Sequence, residues 1–431
     1  MVKLSLGGLS RTEVMISPRP RPVIGITAGV LLLCILFFSF TTLYRPRGSE
    51  QLREKIFEPD EPTATQSLAS TPTPELMPLF PEDETNVVLD YDEEDEGNGA
   101  PISDAEASKL EYMAPLANET LGFEKIFVIN LPARTDKRDA LTLAASLTHM
   151  KLTFLPAVYG PDVPDKAVPM GTNRTLLWET NLGSWRSHMN ALREVVENGY
   201  SSALILEDDM DWDVNIHSQL RSLAVGTQYV TSTMQPHRTA ISSPYGSAWD
   251  LLWVGHCGEV VHTEPPHYRN YTVHPDPTVP PRDHCTGQHR FKEYPARTRW
   301  IHETGSPVCT FAYAVSLAGA QKILYRQSLV GLDHGPFDNS LSWMCGAGEL
   351  DMKCVSVTPP LFEQHMRKGS MGGDSDIRQG DPKAQREKAY TKNIVWSTRM
   401  NIDRLIMGKE PIDQFEEEGK AAERRKKEEG E

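Results

Sequence analysis

The sequence predicts an α/β domain over residues 119–408, built on a mixed and mostly parallel sheet and preceded by a transmembrane helix and a disordered stem. Three observations predict this organisation. Strand-like and helix-like apolar patterns alternate through the domain, which is typical of strand–helix–strand units. One segment near the start is long, apolar and uncharged. The segment that follows it is acidic and rich in Pro and Thr.

The apolar segment, residues 23–43, contains 21 residues and no charge. A helix of that length reaches about 30 Å, enough to cross the hydrocarbon core of a bilayer. A cleavable signal peptide has a shorter apolar core, of about 7–15 residues, closer to the N-terminus. Basic residues flank the segment on both sides, so charge alone does not set its orientation. We expect residues 1–22 to form a cytosolic tail and residues 23–43 the signal anchor of a single-pass type II membrane protein.

The acidity of the chain is concentrated in the next segment. The whole chain has a net charge of −15, and residues 44–118 hold 18 Asp and Glu against 5 Lys and Arg. Such a composition cannot bury enough apolar surface to offset the entropy of ordering the chain, so we expect a disordered stem. Because no part of the domain is strongly basic, a nucleic-acid binder is excluded.

Sequons and cysteines indicate that the domain lies in the lumen of the Golgi apparatus or the endoplasmic reticulum. Three N-glycosylation sequons follow the anchor, at Asn118, Asn173 and Asn270. Five cysteines also follow it, so at most two disulfides form and one thiol is left over. We therefore expect the domain to be lumenal, attached to the membrane through its anchor.

The elements of the domain follow from the spacing of its apolar residues. The helix that starts near Asn181 has an apolar face and ends at Gly199. The apolar run 202–206 leads directly into three carboxylates, at the strand end where sheets of this kind bind ligands. The predicted strands are 125–130, 153–158, 202–206, 249–254, 309–315 and 353–357; the predicted helices are 135–150, 181–198 and 317–327, and a charged tail or frayed helix follows at 409–431.

Residues 225–303 interrupt this order, with Pro-Pro pairs and eight of the thirteen histidines of the chain. We expect a long loop insertion over one face of the sheet. Its histidines and cysteines are residue types that bind zinc, but their spacing matches no zinc pattern. Loop histidines with a Cys257–Cys285 disulfide are the favoured interpretation. The residues considered for zinc are His256, Cys257, His284, Cys285 and His289.

The triplet Glu207-Asp208-Asp209 places three carboxylates at the end of a buried strand. Like charges this close raise one another's pKa unless a cation intervenes. A divalent cation with oxygen ligands resolves the conflict and leaves positions open for substrate phosphates. Alternatively, Asp208 or Asp209 caps a following helix, and the triplet alone does not decide. We expect the flanking Asp211 and Asp213 to be solvated loop residues.

A basic turn, from Asn130 to Arg138, follows the first strand and includes Arg134. A strand that leads through a turn into a basic helix start is suited to holding a nucleotide or a phosphate. Ordinary surface charge on an amphipathic helix is the alternative, and the turn taken by itself favours it.

Six segments in order resemble glycosyltransferase family 25, which includes bacterial lipopolysaccharide galactosyltransferases and animal collagen galactosyltransferases. The resemblance covers about residues 123–377 and is to a type II membrane form of the fungal type. The chain departs from the family pattern in two places, both on the acceptor side. The family usually has a proline directly before a late Asp, whereas here Phe337 lies between Pro336 and Asp338. The insertion at 256–303 is longer than the family leads us to expect. The matching segments are 127–131 with Arg134, Asp136 and Arg138; Gly183 with Ser187 and His188; 204–209; 249–255; 310–316 with 319–320; and 359–361 with Gln364 and 375–377.

The resemblance implies a GT-A-like nucleotide-sugar-binding fold and sugar transfer with inversion at the anomeric carbon. It implies a UDP-sugar donor carrying galactose, a glycan or glycoprotein acceptor, and a divalent cation, Mn²⁺, which stabilises the leaving diphosphate. Alternatively, the imidazole of His188 makes its hydrogen bonds within the first turn of its own helix and does not contact the donor. The implied metal ligands are Glu207, Asp209 and His365; the donor contacts are Asn130, Arg134, Arg138, Ser187, His188 and Asp208; and the general base is Asp338, with Asp333 and Glu363 as weaker candidates.

Two other classes of function stay open at this point. One is a non-catalytic lumenal lectin or scaffold that keeps the fold, and the other is a metal-dependent hydrolase of nucleotide sugars. A lectin has no need of a site that neutralises a diphosphate, so the acidic triplet together with both arginines favours the transferase.

Overall fold

The computed structural model describes residues 113–232, 243–260, 269–286, 295–332, 334–378 and 380–416. The chain divides into two units, Met1–Thr85 and Asn86–Glu431, and every described residue belongs to the second. The predicted cytosolic tail, the anchor and the stem up to residue 112 lie outside the described residues. Within the described part, none of the helices combines the length and apolarity that a membrane span requires.

The described residues form strands β1–β13 and helices α1–α6, joined by turns and short 3₁₀ segments. The strands are β1 Lys125–Asn130, β2 Thr153–Pro156, β3 Ser202–Glu207, β4 Met210–Trp212, β5 Leu251–Gly255, β6 Asn270–Val273, β7 Arg299–Glu303, β8 Ala312–Ser316, β9 Cys354–Thr358, β10 Phe362–Met366, β11 Gly369–Ser370, β12 Gln385–Arg386 and β13 Tyr390–Thr391. The helices are α1 Thr135–Leu147, α2 Glu179–Asn198, α3 Ile216–Ser232, α4 Leu317–Tyr325, α5 Phe337–Gly346 and α6 Ile402–Ile406.

The centre of the domain is an eight-stranded sheet in the order β2-β1-β3-β8-β5-β9-β7-β6. The β1–β2, β1–β3 and β5–β9 pairs are parallel, whereas β7 and β8 run antiparallel to their neighbours. All the other strands of this sheet therefore point in one direction. The predicted α/β class with a mixed, mostly parallel sheet is confirmed, and the architecture fits the predicted GT-A-like fold.

Helices cover both faces of this sheet, so the central strands are buried on both sides. Along β3, Leu204 and Leu206 belong to one apolar cluster, with residues of α1 and α3. Ala203 and Ile205 belong to the other cluster, with residues of α2, α4 and α5. This alternation follows from the two-residue period of a strand. Burial on both faces explains why the strands are continuous apolar runs in the sequence.

Helix α2 begins at Glu179, two residues before the predicted start, and ends at the predicted Gly199, whose φ of 67° is in the left-handed region. Near its start, a Cβ added to Gly183 would lie 2.5 Å from the carbonyl oxygen of Val158. A glycine is required there because the loop after β2 approaches the helix this closely. That close approach places the loop and α2 on two sides of the candidate site.

The interpretation of residues 225–303 as loops is wrong for three segments. Helix α3 continues to Ser232, and β6 and β7 extend the central sheet. Strand β7 pairs with β9, where Trp300 lies opposite Thr358 and Ile301 opposite Val357. Strands β6 and β7 have only four and five residues, too few for an apolar periodicity to indicate a strand. Pairing with strands that are distant in the chain stabilises them.

The predicted Cys257–Cys285 disulfide is also wrong. Cys257 bonds to Cys309, and Cys345 bonds to Cys354, which leaves Cys285 as the free thiol. An isolated antiparallel bridge one residue from each partner brings Cys257 and Cys309 together. The number of disulfides agrees with the odd cysteine count, and the pairing depends on strand contacts that the sequence does not reveal.

The histidines considered for zinc are dispersed. The Nε2 atom of buried His256 lies 3.1 Å from the carbonyl oxygen of Val357. His284 stacks on Phe415, with ring centroids 4.5 Å apart, and His289 lies outside the described residues. Across the described ranges, no three His, Cys, Asp or Glu side chains are grouped so as to hold a metal by themselves.

Asp211 and Asp213 are fully buried, so the prediction that they are solvated is wrong. Asp211 accepts hydrogen bonds from the hydroxyls of Thr391, at 2.6 Å, and Ser397. Asp213 accepts one from the backbone N–H of Trp396 at 3.0 Å. These carboxylates attach β4 to the C-terminal part of the chain, and they have a structural role.

The predicted charged tail is ordered where it is described. Residues 409–416 are not helical. The backbone N–H of Gln414 donates to the carbonyl oxygen of Val395 at 3.1 Å, and that of Ile412 donates to Asn401 Oδ1 at 2.7 Å. The folded domain therefore extends past the predicted boundary at residue 408.

Candidate functional site

A cavity of about 350 Å³ opens at the carboxyl ends of β1, β2 and β3. This is the edge of the sheet where the sequence predicts a ligand. One wall is apolar, the opposite end is acidic, and the N-terminal half of α2 forms a third side. The apolar wall comprises Ile129, Leu131, Ala157, Val158, Pro161 and Ile377, and the acidic end comprises Glu207, Asp208, Asp209 and Asp376.

The acidic triplet consists of Glu207, the last residue of β3, and the two residues of the turn to β4. Because a strand follows it, the alternative that Asp208 or Asp209 caps a helix is excluded. Burial, followed by the charge of Asp209, raises the pKa of Glu207 well above its usual value. Burial also raises the pKa of Asp208. The Oδ1 atom of Asp209 is buried without a hydrogen-bond partner, which is the environment of an oxygen that accepts from a bound cation or ligand.

Lys137 is a functional candidate that the sequence analysis missed. Its ammonium group is buried and lies 2.8 Å from Asp208 Oδ1, 3.3 Å from Asp209 Oδ2 and 3.0 Å from Asp376 Oδ2. These carboxylates raise the pKa of Lys137 against the opposing effect of burial, so the group is charged. The helical periodicity of the sequence could have indicated that Lys137 is buried, because Leu141 lies four residues later on the same buried face of α1.

The structure separates the three predicted residues of the basic turn. Asn130 is in the site, where its amide donates to Asp208 Oδ2 at 2.9 Å. Arg134 is at the rim, and its guanidinium pairs with Asp136 and with Asp376. Arg138 is on the exposed side of α1, 4.7 Å from the centroid of the Phe154 ring, and does not line the cavity.

His188 lines the cavity directly behind Glu207. Its Nδ1 atom lies 3.0 Å from the hydroxyl of Tyr313, and its Nε2 atom lies 3.7 Å from Glu207 Oε1 and 3.4 Å from the hydroxyl of Thr310. Burial lowers the pKa of His188 to about 3, so the imidazole is neutral. Both ring nitrogens face protein groups, which suits His188 to orienting Glu207.

Ser187 connects two walls of the cavity. Its hydroxyl donates to the carbonyl oxygen of Gly183 at 2.7 Å and accepts from the backbone N–H of Val158 at 2.8 Å. These bonds hold the loop after β2 against α2. Ser187, which was predicted as a donor contact, therefore supports the wall of the cavity in this structure.

Gln364, and not His365, reaches the acidic triplet. The amide of Gln364 donates to Asp209 Oδ2 at 3.0 Å. Neighbouring side chains of a strand point to opposite faces, and His365 Nδ1 lies 2.9 Å from the hydroxyl of Thr391. His365 is therefore directed away from the acidic triplet, and we remove it from the predicted metal ligands. The remaining pair fits a cation that takes its other ligands from a bound diphosphate, because Asp209 Oδ1 is unpartnered and Glu207 lines the same cavity.

Asp338 is in the first turn of α5, near the cavity but not in its lining. Its Oδ2 accepts from the backbone N–H of Cys309 at 3.0 Å, one residue before Thr310, which donates to Glu207. Of the weaker candidates for the base, Glu363 is buried and bonded to Asn393 at 2.8 Å. Asp333 lies outside the described residues.

The three sequons differ in exposure. Asn118 and Asn173 are exposed, and each accepts a hydrogen bond from the hydroxyl of the Thr two residues later, at 3.0 and 2.6 Å. Asn270 is partly buried at the start of β6, the edge strand of the central sheet. The first two are therefore open to modification in the folded domain.

Comparisons with known proteins bear on what this site does. Residues 123–333 match the model of glycosyltransferase family 25 (LPS biosynthesis protein). Procollagen galactosyltransferase 1 of Danio rerio is 24% identical over 285 residues, which cover 61% of this chain and 40% of that protein. Procollagen galactosyltransferase 2 of Mus musculus is 22% identical, with 55% and 32% covered. A glycosyltransferase 25 family member of Anopheles gambiae is 21% identical, with 62% and 40% covered.

The chain thus spans less than half the length of these relatives. The family match contains β1, β3 and the acidic triplet, the parts that form the acidic end of the cavity. The predicted family, with its class of enzyme, the glycosyltransferases, is confirmed for residues 123–333. The family model and these relatives identify these residues as a domain of glycosyltransferase family 25.

Proposed function

We propose that the chain transfers a sugar from a nucleotide-diphosphate donor to a hydroxyl group of a glycan or glycoprotein. The observation that supports this most is the cavity itself, because one space combines an apolar wall with a buried acidic end. An apolar wall suits a nucleoside, and a charged end with a cation suits a diphosphate. Family membership gives the reaction class, and the geometry gives a place for the donor.

We assign the nucleoside to the apolar wall, where Tyr159 stands at the rim with 49% of its surface exposed. The sugar diphosphate would then lie between Glu207 and Lys137. The choice of UDP and of galactose rests on the relatives named procollagen galactosyltransferases and on family resemblance. The acceptor would approach from the open side of the cavity.

We propose that Glu207 and Asp209 hold a divalent cation, Mn²⁺, together with the donor. When bound, the cation neutralises the charge that develops on the leaving diphosphate. Lys137 would hold Asp208 and Asp209 in place during this step, since it contacts both carboxylates. His188 and Thr310 would orient Glu207 from behind.

The proposed transfer inverts the anomeric carbon. The acceptor oxygen bonds to that carbon on the face opposite the diphosphate, and the bond between the carbon and the diphosphate oxygen breaks with its electron pair on the diphosphate. Asp338 is the proposed general base and takes the proton of the acceptor hydroxyl. In support, Asp338 accepts a hydrogen bond from the backbone N–H of Cys309, the neighbour of the Thr310 that donates to Glu207.

A thermal-shift screen of the purified chain tests the donor site. We expect one nucleotide sugar, with MnCl₂ present, to raise the unfolding temperature, because a ligand at about 100 times its Kd adds about 2.7 kcal/mol to the free energy of unfolding. UDP-galactose is the expected donor, with UDP-glucose and GDP-mannose as comparisons. If no nucleotide sugar shifts the transition, the assignment of the cavity to a donor is wrong.

We also propose that the domain is lumenal, in the Golgi apparatus or the endoplasmic reticulum, on a single-pass type II anchor. Glycosidase treatment of the protein expressed in its cell should then increase its gel mobility, because sequons are glycosylated only in the lumen. Replacing Asn118, Asn173 and Asn270 together by Gln should abolish the shift. A wild-type protein that glycosidase leaves unchanged would remove the main support for this location.

A further inference from the structure

One carboxylate of the acidic end differs from the other three in where the fold places it. Glu207, Asp208 and Asp209 belong to the end of β3 and the turn that follows it. Asp376 belongs to the segment between β11 and β12, three residues after the 3₁₀ turn Met371–Gly373. Its side chain is 32% exposed, against 10% and 11% for those of Asp209 and Asp208. Asp376 is therefore able to leave the site without disturbing the central sheet.

The partners of Asp376 are two basic side chains, Lys137 in the lining of the cavity and Arg134 at its rim. Its Oδ2 atom lies 3.0 Å from the ammonium of Lys137 and also contacts the guanidinium of Arg134. Arg134 donates in addition to the carbonyl oxygen of Gly373, at 2.9 Å, which holds the same segment. A carboxylate that bridges a lysine and an arginine occupies the position that an oxygen of a phosphate takes between such groups.

Charge balance opposes a diphosphate while Asp376 is in place. Besides the proposed divalent cation, the ligand would meet four carboxylates at the acidic end, and Lys137 and Arg134 would already be paired with Asp376. Departure of Asp376 removes one negative charge and releases hydrogen-bond donors of Lys137 and Arg134 toward the cavity. The unpartnered Oδ1 of Asp209, a residue only 7% exposed, leaves one acceptor open to the cation that is proposed to accompany the diphosphate.

We propose that Asp376 is an internal counter-ion of the site, and that the diphosphate of the donor displaces it from Lys137 and Arg134. The proposal rests on the proposed function, since it assumes that a nucleoside diphosphate binds this cavity. It assigns the segment around Asp376 a part in donor binding: the segment is held by its own carboxylate when the site is empty and is released when the donor enters.

Binding of nucleoside diphosphates to the full chain tests the proposal without any transfer reaction. The probes are UDP and GDP, each compared with its nucleoside, uridine or guanosine, by calorimetry in MnCl₂. Asp376→Asn keeps the shape and removes the competing charge, so the diphosphate should bind about threefold to tenfold more tightly. The affinity for the nucleoside should not change, because Asp376 competes only for the phosphate position.

Asp374→Asn is the matched control. It removes the same charge from the same segment, but Asp374 pairs with Arg386, at 2.8 and 3.1 Å, and not with Lys137. Its affinity for the diphosphate should equal that of the wild type. Lys137→Met in the Asp376→Asn background should cancel the gain, and its melting curve shows whether the variant is folded.

Three results for the variants would overturn the proposal. Weaker diphosphate binding in Asp376→Asn would make Asp376 a ligand-holding residue, and unchanged binding would make its pairing irrelevant. An equal gain in Asp374→Asn would make the effect one of general charge. In each of these cases the wild type still binds the diphosphate, so the proposed function survives. If the wild type binds no diphosphate while still transferring sugar in the presence of acceptor, the counter-ion proposal alone is lost.

Discussion

Asp209→Asn is expected to lower the rate of sugar transfer by about 10²–10³ while the domain stays folded. The substitution keeps the shape of the side chain and removes the charge that we assign to the cation and to the diphosphate. Loss of one such charge-stabilising contact typically costs about that factor in rate. The Oδ2 contacts with Lys137 and Gln364 leave Oδ1 as the free atom in the wild type. Steady-state transfer assays and a melting curve measure the two effects separately.

Asp211→Asn is the control for Asp209→Asn. The two carboxylates are two residues apart, but Asp211 is directed at Thr391 and Ser397 and has no part in the cavity. Burial alone would raise the pKa of Asp211, but its hydrogen bonds outweigh that effect and hold the pKa below its usual range. The substitution should therefore cost about 1–3 kcal/mol of stability and leave the folded enzyme active. Full activity of Asp209→Asn, or undiminished activity in excess chelator, would remove the cation from the mechanism.

Asp338→Asn is expected to lower turnover by about 10²–10⁴ with the affinity for the donor near normal, because a general base acts on the acceptor. An asparagine still accepts the hydrogen bond that the backbone N–H of Cys309 donates to Asp338. The fold should therefore change little. Binding of the donor by calorimetry and turnover at saturating donor give the two quantities.

A helix-terminus role for Asp338 predicts the opposite pattern. An Asp in the first turn of a helix interacts favourably with the helix dipole, and its loss costs about 1 kcal/mol of stability without affecting turnover. If Asp338→Asn melts earlier and transfers sugar at the normal rate, Asp338 is structural. Asp333 would then be the next candidate to replace, since Glu363 is buried and its carboxylate is bonded to Asn393.

The parts of the fold that local patterns encode were predictable from the sequence. Strand β1 and helix α2 each have a pattern of apolar residues that matches their burial, and Gly199 ends α2 as expected. The triplet after β3 marks the site, because the carboxyl end of a strand in such a sheet faces the ligand. The same pattern missed Lys137, which belongs to the buried face of α1 although it lies in a run of charged residues.

The features that depend on distant contacts were not predictable. Strand β7 exists because it pairs with β9, more than fifty residues later. The partner of Cys257 is set by the chain reversal that brings Cys309 beside it. Asp376 reaches Lys137 across a separation of 239 residues. In each case the residue type was visible in the sequence, but its neighbour is a product of the tertiary fold.

Turnover of the donor with and without an acceptor tests the central claim most directly. The purified chain is incubated with UDP-galactose and MnCl₂, and released UDP is measured in the presence and absence of a panel of glycans and glycoproteins. We expect UDP release to depend on an acceptor and the acceptor to gain one hexose by mass. Equal UDP release without any acceptor would identify a hydrolase of nucleotide sugars, and donor binding or sugar binding without any release would identify a lectin or scaffold; either result would contradict the account.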